Sequence, residues 1–492
     1  MKSISFKQAL LIAIGTSIGS GIYFKSTAVL RASQGNVMAA IMGWLILGLT
    51  FAFAGLAVSV LANKTERNGG ILAYVEDAFG EKAGFATGWF FSVLYSPTQV
   101  GILAWVLATY FLQIFNHNTD TVGVSRFYLL IAAFVILIFT WNIISTRFTA
   151  MVSSVSTSIK LIPLIIVPVF AFAGFAPANW NNIMDGATLV ANNPEAIELI
   201  NQSGLTYNSN ASFFSLFIGP LLAMAFTFDG WHTVGSFSVD MENPKRDLAK
   251  VFSISLLIVT LFYTLYSLGL SLLMPADQII TAGDAHVEYA VRNLFSLIAG
   301  DQFGYIMGKL VIVIVCISVL GTTNSFAMGS SRYVQALAEE GYFFKPQTFR
   351  KIHPRFKTPA AAAMVQLALT IVLVMVYYAQ EAYGLFDGIV IDELPVAFET
   401  MFFIPLMFAA FMAFRKDRSI GILKGVIAPI VGCVGQVFIL IAFFSNNSQA
   451  LLYFIVCIVG ILIGLGCKYL VFDNYRKSKE FIERDVQVIA SF

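Results

Sequence analysis

Residues 15–21 read Gly15-Thr16-Ser17-Ile18-Gly19-Ser20-Gly21, in the middle of a long apolar stretch. Glycine costs a helix interior roughly 1 kcal/mol against alanine, so such a run needs a reason. Two reasons are open. Small residues let neighbouring helices approach closely, and Gly15 and Gly19 have the spacing of a close-packing face. Alternatively the helix is unwound here. An unwound turn frees backbone N–H groups at the start of one half-helix and carbonyls at the end of the other. The freed N–H groups, at the positive end of the helix dipole, suit a carboxylate; the freed carbonyls suit an ammonium.

The surrounding composition says what kind of helix this is. Apolar residues make up 58% of the 492 residues and charged residues only 12%. Soluble domains carry about 25% charge, so there is too little here to coat a water-facing surface. The class is a polytopic, all-α membrane protein in a lipid bilayer. A formal charge of +2 leaves no electrostatic case for nucleic acid. Cys316, Cys433, Cys457 and Cys467 all lie in apolar runs without a CxxC. They read as small core hydrophobes, with no disulfide, metal or cofactor implied.

A helical span needs about 20 mostly apolar residues. Twelve such stretches centre on 8–32, 37–61, 84–115, 127–145, 150–174, 212–239, 251–274, 303–331, 359–379, 394–414, 422–444 and 450–472. The start, with Lys2, Lys7 and small residues further on, imitates a secretion signal. The apolar run continues through the glycines to Ile22–Phe24, which favours an uncleaved first span. With the N-terminus cytoplasmic, the inner segments hold 24 of the 30 basic residues, as the positive-inside rule requires. The exceptions are Lys25, Arg31, Arg126, Arg292 and Lys309 outside, and Lys160 within a span. Both termini are therefore expected in the cytoplasm, and the expected location is a bacterial plasma membrane. The outer segment 175–211 looks irregular. Within 275–299, Val287, Val291, Leu294 and Ile298 predict a short helix lying on the surface. The tail 473–492 reads as a solvated end.

Span six carries a second break signal, Ala225-Phe226-Thr227-Phe228-Asp229-Gly230-Trp231-His232. An ionisable group at membrane depth is costly and marks a functional site by default. Spans one and six are five apart. Interrupted spans in corresponding positions of two halves point to an inverted-repeat carrier with its site at the midplane.

Several segments then resemble a known family. GTSIGSGIYF, ERNGGILAYVEDAFG at 66–80, FTFDGWHTV, Asp240 with Glu242-Asn243-Pro244, and RYVQALAEEGYFFKPQTFRKIHPRFKTPAAA at 332–363 are similar, in order and spacing, to motifs of the amino acid–polyamine–organocation superfamily. Ser96-Pro97-Thr98-Gln99 further resembles the L-type amino acid transporter branch. The resemblance implies a LeuT-type fold of twelve helices with 5+5 inverted repeats. The first repeat would span 1–174 and the second 212–414, flanking the outer loop 175–211. Spans eleven and twelve fall at 415–472, and the tail follows. It implies a secondary transporter of L-amino acids, exchanging or proton-coupled. It places Ser17, Gly19, Ser20 and Gly21 at the substrate carboxylate and Phe226 as the aromatic that closes over it. Phe326 falls where some members place another ring. Gln99, Asp229 and Gly230 are further binding candidates. Lys160 stands where similar members carry a lysine in place of a sodium ion, which predicts sodium-independent transport.

Bland alternatives stand beside these. For Lys160 it is simple packing on backbone carbonyls; as a functional group it could, besides replacing sodium, carry a proton. For Asp229 it is capping of the lower half of span six. His232 is either a packed histidine or a pH-sensitive gate. Span ten departs from the family: Asp387, Asp392, Glu393 and Glu399 crowd its outer end. Asp392 and Glu393 precede Pro395 in a helix-start pattern. Glu399, about 24 Å above the inner end at 1.5 Å per residue, falls in the outer half of the membrane. It either pairs structurally or meets a cationic substrate group. The latter implies a basic amino acid exchanged for its decarboxylated amine. No HExxH or nucleophile elbow supports an enzyme. A twelve-span chain with two dissimilar breaks does not suggest a symmetric channel.

Overall fold

A computed structural model of the chain describes residues 5–19, 21–65, 69–173, 179–384, 393–446 and 450–472. Among them the secondary structure is helical, and eleven helices are long and apolar enough to cross a membrane. The pair Phe6–Ser17 and Gly21–Ala32, bent by 40°, makes a twelfth span. The others are Val37–Ala62, Glu81–Ile114, Val124–Ile144, Thr146–Phe172, Phe213–Ser236, Pro244–Leu273, Asp301–Glu339, Ala360–Tyr383, Leu394–Lys416, Leu423–Asn446 and Ala450–Phe472. They are numbered one to twelve in chain order.

Local chemistry sets the helix starts. Ser5 and Gln8 cap each other's backbone N–H groups ahead of span one. Asn36 caps span two and Ser145 caps span five through their side-chain oxygens. These groups satisfy donors that a helix leaves orphaned. Span three holds a wider, π-type turn at Phe90–Tyr95, just before Pro97. Proline has no N–H to give. The Ser92 carbonyl is instead taken by Gln366 Nε2 of span nine at 2.8 Å.

Span six is more interrupted than its sequence indicates. It runs as Phe213–Ile218, then Leu221–Phe228, then a 3-10 stretch Trp231–Asp240. The second break has a plain backbone cause. Asp229 is extended (φ −61°, ψ 163°) and Gly230 has φ +85°. That left-handed region costs a side-chain-bearing residue roughly 1–2 kcal/mol.

Two expectations are corrected in the segments between spans. Residues 181–202 are largely helical, as Asn181–Met184, Gly186–Ala191 and Pro194–Gln202. Asn193 caps the third, Pro194 opens it, and Ala196 and Ile200 are buried one turn apart. In the surface helix His286–Ala299, Val287, Val291 and Leu294 are buried, but Ile298 is 44% exposed. Its last turn overhangs the core edge before Gly300 turns the chain into span eight.

Candidate substrate site

The two breaks meet at the centre of the bundle, and the rest of the protein consumes most of what the first one frees. Lys160 Nζ, from span five, donates to the carbonyls of Gly15 and Ile18, each at 2.6 Å, and to Thr322 Oγ1 of span eight at 3.3 Å. Tyr263 of span seven donates to Ser17 O at 2.7 Å and to Thr227 O of span six at 3.0 Å. Ser318 Oγ reaches Gly19 O at 3.4 Å. An ammonium from a ligand therefore competes for carbonyls already in use, each of which keeps a second lone pair. The N–H groups of Gly21, Ile22 and Tyr23 open the next half-helix and by position have no carbonyl of that helix to bond.

The glycines serve close packing as well as unwinding. A Cβ on Gly19 would stand 2.9 Å from Thr322 Cγ2, and one on Gly21 2.8 Å from the Thr227 backbone. A Cβ on Gly15 would overlap Thr157 Oγ1. Both reasons for the run therefore hold at once.

Thr16, Ser17, Gly19 and Gly21 from span one line a small buried cavity with Phe226, Thr227 and Asp229 from span six. Gln99, Leu103, Thr322 and Phe326 complete it. Its volume is about 20 Å³, room for about one water. Ser17 Oγ is buried there without a hydrogen-bond partner among the described residues. Phe326 lies against the second break: a Cβ on Gly230 would be 2.8 Å from its Cζ.

Asp229 is held from several sides. Its carboxylate accepts from Tyr95 Oη at 2.7 Å, Gln99 Nε2 at 2.8 Å and the Gly230 N–H at 2.5 Å. Two of its three donors come from span three, and the third is the N–H of the next residue, Gly230. His232 is buried, with Nδ1 3.9 Å from Asp229 Oδ1. Glu399 is buried behind Asp229 and is not among the cavity-lining residues. It sits in the first third of Leu394–Lys416, level with the break in span six. Ser20, Asp387 and Asp392 lie outside the described residues.

Lys25 and Glu393 are legible in the sequence only as an outer cation and a helix-start acid. Their side chains meet at 2.8 Å, joining the second half of span one to the start of span ten. The same ammonium stands 5.1 Å from the centre of the Phe226 ring, which lines the cavity. Tyr95, Tyr263 and Thr322 likewise carry no mark in the sequence. A charged residue one turn past Gly21, on the same helix face, is the signal that could have found Lys25.

An all-α bundle with a buried, polar-lined cavity between two interrupted spans is the architecture of a membrane carrier of small solutes. Residues 4–463 match the family model described as amino acid permease. The serine/threonine exchanger SteT of Bacillus subtilis (strain 168) is 27% identical over 469 residues, covering 94% of this chain and 95% of that protein. The b(0,+)-type amino acid transporter 1 of Mus musculus is 23% identical over 96% of this chain and 88% of its own length. The Asc-type amino acid transporter 1 of Homo sapiens is 26% identical over 76% of this chain and 66% of its own length. The chain belongs to the amino acid permease family, within the amino acid–polyamine–organocation superfamily. It is an amino acid transporter and not an enzyme.

Proposed function

We propose that this transporter exchanges small neutral amino acids by alternating access, with the substrate bound between the two breaks. The carrying observation is the cavity itself, whose wall takes Ser17, Gly19 and Gly21 from one break and Phe226 and Asp229 from the other. The first-turn N–H groups at Gly21, with Ser17, Gly19 and Ser20, would hold the carboxylate. Gln99, Gly230 and Phe326 shape the remaining wall. Phe226, under the Lys25–Glu393 pair, acts as the gate on that side. Spans one to five and six to ten are the two inverted repeats whose relative rocking exposes the site to either side. Lys160 holds the span-one carbonyls that would otherwise call for a bound cation, so sodium is not needed. The serine/threonine name of the Bacillus relative supports a small neutral substrate. Its source, with the basic-residue distribution, supports a bacterial plasma membrane with both termini cytoplasmic.

The test is counterflow in proteoliposomes. Labelled L-serine outside should enter vesicles preloaded with unlabelled serine, threonine or alanine, saturably, and unchanged when potassium replaces sodium. Entry that does not saturate and does not respond to preloading would reject exchange. One observation favours a second function, antiport of a basic amino acid against its amine: two buried carboxylates, Asp229 and Glu399, lie at the break. Vesicles preloaded with putrescine, cadaverine or histamine test it in the same assay.

A further inference from the structure

Behind the cavity, Asp229, His232 and Glu399 each bring one polar atom to within 4.8 Å of the other two. Their residues are 4%, 2% and 2% exposed. Three ionisable side chains sealed together in a membrane protein demand an electrostatic account. The hydrogen bonds divide them. Asp229 has donors for both oxygens, from Tyr95, Gln99 and Gly230. Among the described residues, Glu399 Oε2 has none, and neither nitrogen of His232 has a hydrogen-bond partner. Phe91, Tyr95, Trp231 and Phe403 wall the imidazole at ring-centre distances of 5.4–6.0 Å.

We propose that Asp229, His232 and Glu399 form a proton-binding site that couples amino acid movement to a proton, with Glu399 as the group loaded and unloaded. This rests on the transport function proposed above. Two carboxylates this close in a low-dielectric interior do not both stay charged without a cation between them. The nearby ammonium groups are engaged elsewhere. Lys160 is bound to span-one carbonyls, and Lys25 to Glu393. A proton on Glu399 removes one charge and makes its carboxyl a donor towards Asp229 or His232.

The groups facing Glu399 are few. Asp229 and His232 come from span six, Tyr95 from span three and Tyr333 from span eight. The segment Ile71–Phe79, packed on span ten, adds buried Tyr74. Spans two and eleven bring no acid, lysine, arginine or histidine along Val37–Ala62 and Ala428–Asn446, only Cys433. Span twelve brings Tyr453 and Cys457. Arg418 packs on the Phe414 ring at the far end of span ten, and Lys424 lies in the stretch Leu423–Ile427 that follows.

A substrate ammonium is a poorer occupant. Glu399 does not line the cavity, and Asp229, which does, already accepts from Tyr95, Gln99 and Gly230. In the proposed step, an O–H bond forms on Glu399 with a proton taken from water on one side. It breaks on the other side, so one proton and one zwitterion cross together and the step carries one positive charge. Asp229, lining the cavity and touching this cluster, links substrate to proton.

The test uses the full chain in proteoliposomes loaded with a pH-sensitive dye and no internal amino acid, under an inward proton gradient. Labelled L-serine, or whichever amino acid exchanges fastest, should accumulate above its outside concentration, and the lumen should acidify by one proton per substrate. Glu399→Gln, whose amide takes up no proton, should lower the proton-to-substrate ratio about tenfold or more. His232→Gln should shift the pH at which net uptake is half-maximal. If an amino acid exchanges but the parent moves no protons, or Glu399→Gln keeps the parental ratio, the proposal is wrong. The parental ratio alone decides if the variant does not fold. A stoichiometric divalent metal in the purified protein would also overturn it, because the same N, O, O donor set suits a metal. Failure of every amino acid to exchange would instead reject the transport function beneath it.

Discussion

Lys160→Met separates a structural lysine from one that holds the site. Methionine keeps nearly the same length and volume and removes the charge. The structure loses two 2.6 Å hydrogen bonds to carbonyls and a longer one to Thr322. Hydrogen bonds from a charged donor contribute about 1.5–3 kcal/mol each, so the gross loss from the two short ones is roughly 3–6 kcal/mol. Burying an ammonium costs several kcal/mol, which the methionine no longer incurs. The two terms are of similar size and opposite sign, so overall stability should change little. The loss falls on the position of Gly15–Ile18, and with it on the turn leading to Gly21. A misplacement of about 1 Å at a reacting or binding centre costs on the order of 100-fold. Expected, then, is a purified variant with near-parental thermal midpoint and serine counterflow reduced at least about tenfold. Parental counterflow in a folded variant would refute the idea that this lysine sets the first break. A loss of counterflow that merely tracks a loss of folded protein would refute it equally.

Gly21→Leu should abolish uptake while the protein still expresses, since a Cβ alone meets the Thr227 backbone at 2.8 Å; wild-type uptake would dismiss the site. Gly230→Ala adds strain at φ +85° and a 2.8 Å approach to Phe326, an overpacking of about 1–3 kcal/mol. Gly421→Ala, at φ +82° in open space, should cost only the strain, so thermal midpoints of the two variants ought to differ. Glu393→Gln removes the partner of Lys25 and should raise the labelling rate of a cysteine placed at Phe226, read by a membrane-impermeant thiol reagent. In the surface segment, burial lowers the His286 imidazole to about 4. The unfolded chain binds that proton near pH 6.5 and the folded chain does not, so stability is full above 6.5 and falls as pH drops towards 4, by up to roughly 3 kcal/mol. Hydrogen exchange across 276–299 should quicken in that window, and less so in His286→Gln.

The span order is readable because membrane helices announce themselves by length and apolarity. The break in span one is readable because three glycines in seven residues are costly inside a helix. Span six reads as one break where there are two, because Gly219-Pro220 sits in an apolar helix-forming context and only its packing against Ala32 shows the interruption. The segment 181–202, between spans five and six, hides its helices behind asparagines that prove to be caps and boundaries. Lys160 and Asp229 stand out as charges at membrane depth. Their partners do not, because Tyr95, Tyr263 and Thr322 are ordinary residues of apolar spans until the fold brings them to a freed carbonyl or a carboxylate. Glu399 stands out by its charge, but counting residues along span ten does not show that it meets Asp229 and His232. Distance from a helix end gives height along an axis but not which neighbouring groups share that height.

Binding of an amino acid between the two interrupted spans is the central claim. A cryo-EM map of the full chain with a saturating concentration of its fastest-exchanging amino acid tests this most directly. Ligand density is expected between the Gly19–Gly21 turn and the Phe226 ring, its carboxylate against the first-turn N–H groups of Gly21–Tyr23 and the two phenylalanine rings drawn apart. Density for the amino acid elsewhere, with Phe226 and Phe326 still closed over the breaks, would contradict it.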